Sequence, residues 1–477
     1  MNAELKMTAH ELLRMLTNRF GLNSGGLIEL SHQLHSNKIS PCEAAAESIE
    51  RITRSNARLN CYVTTAKEQA KTQADFLQNS NRQSRKPLWG VPISVKDLTS
   101  TSGIRTTYSS KAFASYVPII DSPLVTRMKE SGMIVVGKTN TSEFGALPVT
   151  ESELNGICRN PWNLDWSVGG SSGGAAASIA AGLTTVAHGS DGAGSVRIPA
   201  SCCGVFAVLI PRGRLPPSER VCIGAGAQDG VFSRTVADAL YYLAGVNAIS
   251  LEELNLAIDV GSSSSTESIV LSCTAPINCS VDEHCVLAAH RAAEILGNSG
   301  CRITTRVFDW GSESLLCDIR LLRSLTPISF GDPAPHLLDD TTRSATKIST
   351  EVSAVELQRT YARIYACSQR ILNLIGEDEI VLTPATTRPS VRHGWITESN
   401  DPDEIFRRSA EFAPFTAFVN LAGLCAVSVP MGWTSNNLPV GIQLATRPNN
   451  FAKLLGLASR LESVSPWRQR TPQNYFG

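Results

Sequence analysis

The chain has 477 residues, of which 42% are hydrophobic and 18% charged, with 43 lysines and arginines against 43 aspartates and glutamates. This composition excludes a disordered chain, and the balanced charge removes any electrostatic reason to expect nucleic acid or a membrane surface as a partner. Thirteen cysteines without a C-x-x-C pair argue against a disulfide framework or a metal site and for a reducing cytoplasm, with Cys202 and Cys203 as small packing residues.

The first segment, "MNAELKMTAHELLRMLTNRFGL", is interrupted by Glu4, Glu11 and Arg14 and lacks the apolar core of a signal peptide. No later apolar run reaches the roughly 18 residues of a membrane span. Residues 27–80 read as helices around a short strand, "CYVTT". "GVPISVKDLT" reads as a strand ending at Lys96-Asp97. In "DSPLVTRMKESGMIVVGKTN", Asp121 or Ser122 can cap a helix, Pro123 suits its first turn and Gly132 can end it before a short apolar strand. A glycine-serine cluster, "WSVGGSSGGAAASIAAG", opens a small-residue helix over 173–182. The strand "LTTVAHGS", a second cluster, "GSDGAGSVRIPAS", and a strand near 204–210 follow.

Residues 235–375 are less regular, although "SAVELQRTYARIYACSQRILNLI" has a helical apolar period. "GSSSSTES" at 261–268 reads as a mobile surface loop. Strand texture returns with "EIVLTPAT", "CAVSVPMGW" and "PVGIQLAT", and "FAKLLGLASRLESV" reads as a closing helix. Alternating strands and helices predict an α/β fold: a single large domain, 1–477, with a central mixed β-sheet covered by helices on both faces.

Two serine clusters compete for a nucleophile. Gly170-Ser171-Ser172-Gly173-Gly174 fits the G-x-S-x-G elbow of α/β-hydrolases, with His393 as the available later histidine. The elbow needs a buried strand before its serine, and "RNPWNLDWSVGG" is too polar to supply one. The second cluster follows a strand, and its run of small residues lets consecutive N–H groups point into one cavity, as an oxyanion requires. It is followed by Val196-Arg197-Ile198-Pro199, which matches neither nucleotide-binding pattern.

Taken with the strand-terminal lysine in "GVPISVKDL", the clusters "GGSSGGAAASIAAG" and "GSDGAGSVRIPA" resemble the amidase signature family of serine hydrolases. "CRNPWN", "PFTAFVNLAGLCAVSVPMGW" and "LPVGIQLATR" extend the resemblance over most of the chain outside 235–375. Carried onto this sequence, it implies Ser195 as the acylated nucleophile, Ser171 as a bridging serine after a cis Gly170–Ser171 peptide, and Lys96 as the base. The oxyanion donors fall on the N–H groups of Gly192, Ala193 and Gly194, with Asp191 and Arg197 supporting the loop. Such a base works only when neutral, so the lysine's ordinary value of about 10.4 must fall.

The resemblance implies a helical N-terminal part at 1–80 and a signature core at 85–215. A variable helical insertion at 235–375 would build the substrate pocket, and 376–477 would complete the sheet. The expected activity is hydrolysis of a linear or cyclic carboxamide through an acyl-serine, without cofactor or metal. The partner is a small-molecule amide, and a homodimer is left open. Acyl transfer to an amine shares the same acyl-enzyme, and the amidase subunit of a tRNA-dependent amidotransferase is the other alternative.

Overall fold

The structure is a computed structural model and describes residues 7–21, 25–81, 85–216, 227–264, 266–308, 312–399 and 401–477. Position 265, inside the serine-rich stretch expected to be mobile, lies outside the described residues. The rest of that stretch ends the helix Leu251–Ser262 and leads into a strand.

Eleven strands form one sheet. In chain order they are β1 (Tyr62–Thr65), β2 (Pro92–Lys96), β3 (Ile134–Thr139), β4 (Val186–Asp191), β5 (Phe206–Leu209), β6 (Gln228–Ser233), β7 (Ser268–Leu271), β8 (Arg302–Thr305), β9 (Glu379–Pro384), β10 (Cys425–Trp433) and β11 (Pro439–Thr446). Their spatial order is β1-β3-β2-β4-β6-β5-β10-β11-β9-β7-β8. The sheet is mixed. β2 runs parallel to β3 and β4, and β7 runs parallel to β8 and β9, while the strands between pair antiparallel.

Strand alternation divides the core between the two faces. Ile93, Val95, Val135, Val208 and Val231 join one large cluster with the helices Val236–Gly245, Glu283–Asn298 and Phe451–Val464. Ile134, Val136, Ala187, Ala207 and Phe232 point the other way, toward the helices Pro41–Leu59 and Gly173–Ala180. This is the expected α/β arrangement. On β2 the same alternation sends Ile93 and Val95 to the first face, and Ser94 and Lys96 to the second.

Local signals explain most boundaries. Ser122 Oγ accepts the Val125 N–H at 3.3 Å at the head of Pro123–Glu130. Ser40 and Glu43 form a reciprocal cap at the head of Pro41–Leu59. The segment 235–375, expected to be helical, also contributes β7 and β8. These are four-residue strands, β7 next to the sheet's edge and mostly buried, β8 at the edge and largely exposed, so neither carries a strong strand period. Among the described residues, no helix is long and apolar enough to cross a membrane.

Candidate active site

β2 ends at Lys96, whose side chain is 1% exposed. Its Nζ donates to Ser171 Oγ at 2.8 Å and to the Ser190 carbonyl at 3.1 Å. Ser171 Oγ donates to Ser195 Oγ at 2.9 Å. Three side chains that lie far apart in sequence therefore form one continuous hydrogen-bonded row. The Gly170–Ser171 peptide is cis. Ser171 is buried and Ser195 half-buried, and both line the cavity described below.

Close packing fixes Ser171 in place. A Cβ on Gly173 would lie 2.1 Å from Thr150 Oγ1, and one on Gly174 would lie 2.4 Å from the Asn140 nitrogen. The helix Gly173–Ala180 can therefore approach only with these glycines, and all its residues are buried. Ser172, the elbow candidate, is turned to structure: its Oγ donates to the Ser190 carbonyl at 3.1 Å, and its N–H to the Ser195 carbonyl at 3.0 Å. His393 lies against the Leu164 carbonyl at 2.9 Å and Glu151 at 3.7 Å, apart from this row.

The loop after β4 carries Ser195. Asp191 and Arg197 are fully buried and paired at 2.9 Å. Asp191 also accepts the N–H groups of Gly194 at 2.6 Å and Val196 at 3.0 Å. Burial alone would raise the Asp191 carboxyl, but Arg197 and these amides outweigh it and hold it below the ordinary carboxylate range. Arg197 reaches on to the Thr416 carbonyl at 2.9 Å and Gln443 Oε1 at 2.6 Å. Asn420 Nδ2 donates to the Asp191 carbonyl at 2.9 Å.

This arrangement corrects one expectation. The Gly194 N–H is not available to an oxyanion, because Asp191 takes it. Among the described residues, the N–H groups of Gly192, Ala193 and Ser195 have no acceptor, and these residues line the cavity. Thr416, Asn420 and Gln443 were not singled out from the sequence. They lie in the quoted segments "PFTAFVN" and "VGIQLAT", but nothing in those segments alone pairs them with residues more than 200 positions earlier.

Asp97, next to Lys96, turns elsewhere and accepts the Thr107 N–H at 2.9 Å. Burial pushes its carboxyl up to about 6, against the opposing pull of Lys138 and Thr107.

The serine row opens onto a cavity of about 300 Å³. Phe144, Leu147 and Ile198 line it near the serine loops, Pro276 and Ile277 contribute from the central segment, and Leu315, Ile319, Leu322 and Phe330 come from the helix Ser312–Ser324 and the turn after it. Phe406, Phe418 and Leu421 come from the C-terminal part.

A buried lysine, two serines in contact and a loop of unbonded N–H groups thus lie together beside a largely apolar cavity on an α/β sheet. The Amidase family model matches residues 43–264 and 321–455. The chain is 31% identical to the 6-aminohexanoate-cyclic-dimer hydrolase of Paenarthrobacter ureafaciens, covering 92% of this chain and 94% of that protein. It is 30% identical to an acylamidase of Rhodococcus erythropolis, covering 93% and 96%. A solved structure of 6-aminohexanoate cyclic dimer hydrolase complexed with substrate superposes with a TM-score of 0.86 at 27% identity, over 94% of this chain and 98% of the other. The chain belongs to the amidase family, enzymes that hydrolyse carbon–nitrogen bonds.

Proposed function

We propose that this protein cleaves a small carboxamide through an acyl-enzyme on Ser195. The observation that carries this reading is the unbroken row Lys96–Ser171–Ser195 opening onto the cavity. With Lys96 neutral, the hydroxyl hydrogens turn along the same heavy-atom spacing. Ser195 then gives its proton to Ser171 as Ser171 gives its own to Lys96. Ser195 Oγ bonds to the amide carbon, and the oxyanion sits against the N–H groups of Gly192, Ala193 and Ser195. The proton returns from Lys96 through Ser171 to the departing nitrogen as the C–N bond breaks. Water then attacks the acyl-serine by the same relay.

Burial at the end of an apolar strand, with hydrogen bonds to neutral oxygens, supports Lys96 as a base in this cycle. We assign residues 235–375 to the pocket because part of the cavity wall comes from them. The two hydrolases named above, of a cyclic dimer and of acylamides, support a small linear or cyclic amide as the substrate class.

The test is labelling with a fluorophosphonate followed by peptide mapping. The adduct is expected on Ser195, and Ser195→Ala should abolish it together with amide turnover. An adduct on Ser172 would overturn the assignment.

A further inference from the structure

Two basic side chains stand in the cavity wall, Lys96 and Arg323, and among the described residues no aspartate or glutamate lines it. The two differ in kind. Lys96 belongs to the serine row. Arg323 lies in the last turn of the helix Ser312–Ser324, on a wall that also carries Leu315, Ile319, Leu322 and Phe330, with Thr326 and Ser329 beside them.

Two charged residues of the same helix are paired elsewhere. Asp318, an acid on the same helix, is held by Arg363 through two contacts at 3.0 Å and one at 2.6 Å. Arg320 is paired with Asp403. Arg323, by contrast, forms no hydrogen bond or ion pair among the described residues. Burial pushes its guanidinium down to about 10, which leaves it charged at neutral pH. A place in the last turn suits a cation, because the helix carbonyls carry partial negative charge there. Among the described residues that interaction leaves the five N–H donors of the guanidinium without acceptors, in the wall of the cavity.

We propose that Arg323 is a carboxylate-recognition residue, so that the preferred substrates are amides carrying, apart from the scissile bond, an apolar segment that ends in a carboxylate. The inference rests on the cavity being the substrate site. A planar fork of donors matches a carboxylate in bidentate fashion, and low-polarity surroundings strengthen the pair. The leucine, isoleucine and phenylalanine wall suits methylene or aryl groups. A site of this kind rejects a neutral twin of the substrate because the guanidinium is then left buried and unpaired.

The experiment uses two matched pairs of amides. Adipic acid monoanilide against heptananilide places the carboxylate on the acyl side, and 5-acetamidopentanoate against N-hexylacetamide places it on the amine side. In the wild type, kcat/KM for the carboxylate member of at least one pair should exceed its neutral twin by about tenfold or more, the ratio that a single charge-assisted pair supports. Arg323→Gln should reduce that ratio to near one, and Arg323→Lys should restore part of it. Because each ratio is measured on one preparation, partial misfolding cancels. Equal rates within both pairs, or a preference that survives Arg323→Gln, would overturn the proposal. Calorimetric titration of Ser195→Ala with the two carboxylate amides reads binding without chemistry. Binding of the preferred one should be seen there and lost in the Ser195→Ala/Arg323→Gln protein, and no binding of either would overturn the role of Arg323. Turnover by Ser195→Ala would instead sink the acyl-serine reading and leave the binding comparison intact.

Discussion

Within the Asp191–Ser195 loop, Gly194 alone takes a left-handed backbone, with φ of +125°. Ala193 does not, so a methyl group is tolerated there. A Cβ on Gly194 would lie 2.2 Å from Thr416 Oγ1, the hydroxyl that donates to the Ala193 carbonyl at 2.6 Å. Gly194→Ala would therefore displace the loop and with it the unbonded N–H groups of Gly192, Ala193 and Ser195. We expect Gly194→Ala to lower kcat by about 10²-fold, the scale of losing an oxyanion donor, and to lower the unfolding temperature. Gly192 is the control, since a Cβ there meets nothing within 4 Å. Gly192→Ala should unfold at the wild-type temperature. Equal destabilisation by both variants in differential scanning fluorimetry would contradict this account of the loop.

At the scale of elements, Asp191 and Arg197 join β4 and the helix Arg197–Cys203 to β11 and the short helix Ala417–Leu421. Arg197→Met keeps much of the volume but leaves the Asp191 carboxylate buried without its cation. Breaking a buried pair from one side costs about 3–5 kcal/mol, and urea unfolding should show a loss of that order together with loss of activity. A change under about 1 kcal/mol would mean that the amides of Gly194 and Val196 suffice for Asp191. The sequence made half of this device legible. Asp191 and Arg197 stand in the serine cluster, where the resemblance marks them. Asn420 and Gln443 gave no local signal, because a buried amide looks like any other polar residue until the partner it satisfies is known. The short strands β7 and β8 escaped for a related reason: four residues at or next to a sheet edge carry too little alternation to be separated from loop. Arg323 escaped too, since an arginine near a helix end is normally solvated.

Across the whole molecule, Glu462 and Asp238 mark a seam where three distant segments meet. Glu462 on the helix Phe451–Val464 accepts the Val236 N–H at 2.9 Å, and Asp238 accepts the Ile28 N–H at 3.1 Å. Burial, with Asp238 nearby adding to it, pushes the Glu462 carboxyl from its ordinary 4.5 up to about 8, against the opposing pull of the Val236 N–H and Arg468. The folded state thus binds a proton that the unfolded chain releases near 4.5. Stability from this group is complete below that pH and is lost as pH rises toward about 8. Glu462→Gln keeps a carbonyl oxygen for Val236 and removes the ionisation. Its unfolding temperature should match the wild type at pH 5 and exceed it at pH 9. A variant less stable than the wild type at pH 9 would show that the ionised carboxylate is tolerated at the seam.

The sheet order has its own consequence. β10 and β11 are the last two strands in sequence, yet they sit between β5 and β9, in the interior of the sheet. During synthesis on the ribosome, β5 must wait with an open edge until residues 425–446 emerge, and the two wings of the sheet stay unjoined until then. Lys96, Ser171 and Ser195 are all made by that time, but Gln443, which helps anchor Arg197, is not. The nascent chain therefore carries the whole Lys96–Ser171–Ser195 row long before it carries the framework that holds it, and its exposed β5 edge is the place where premature pairing with another chain would begin.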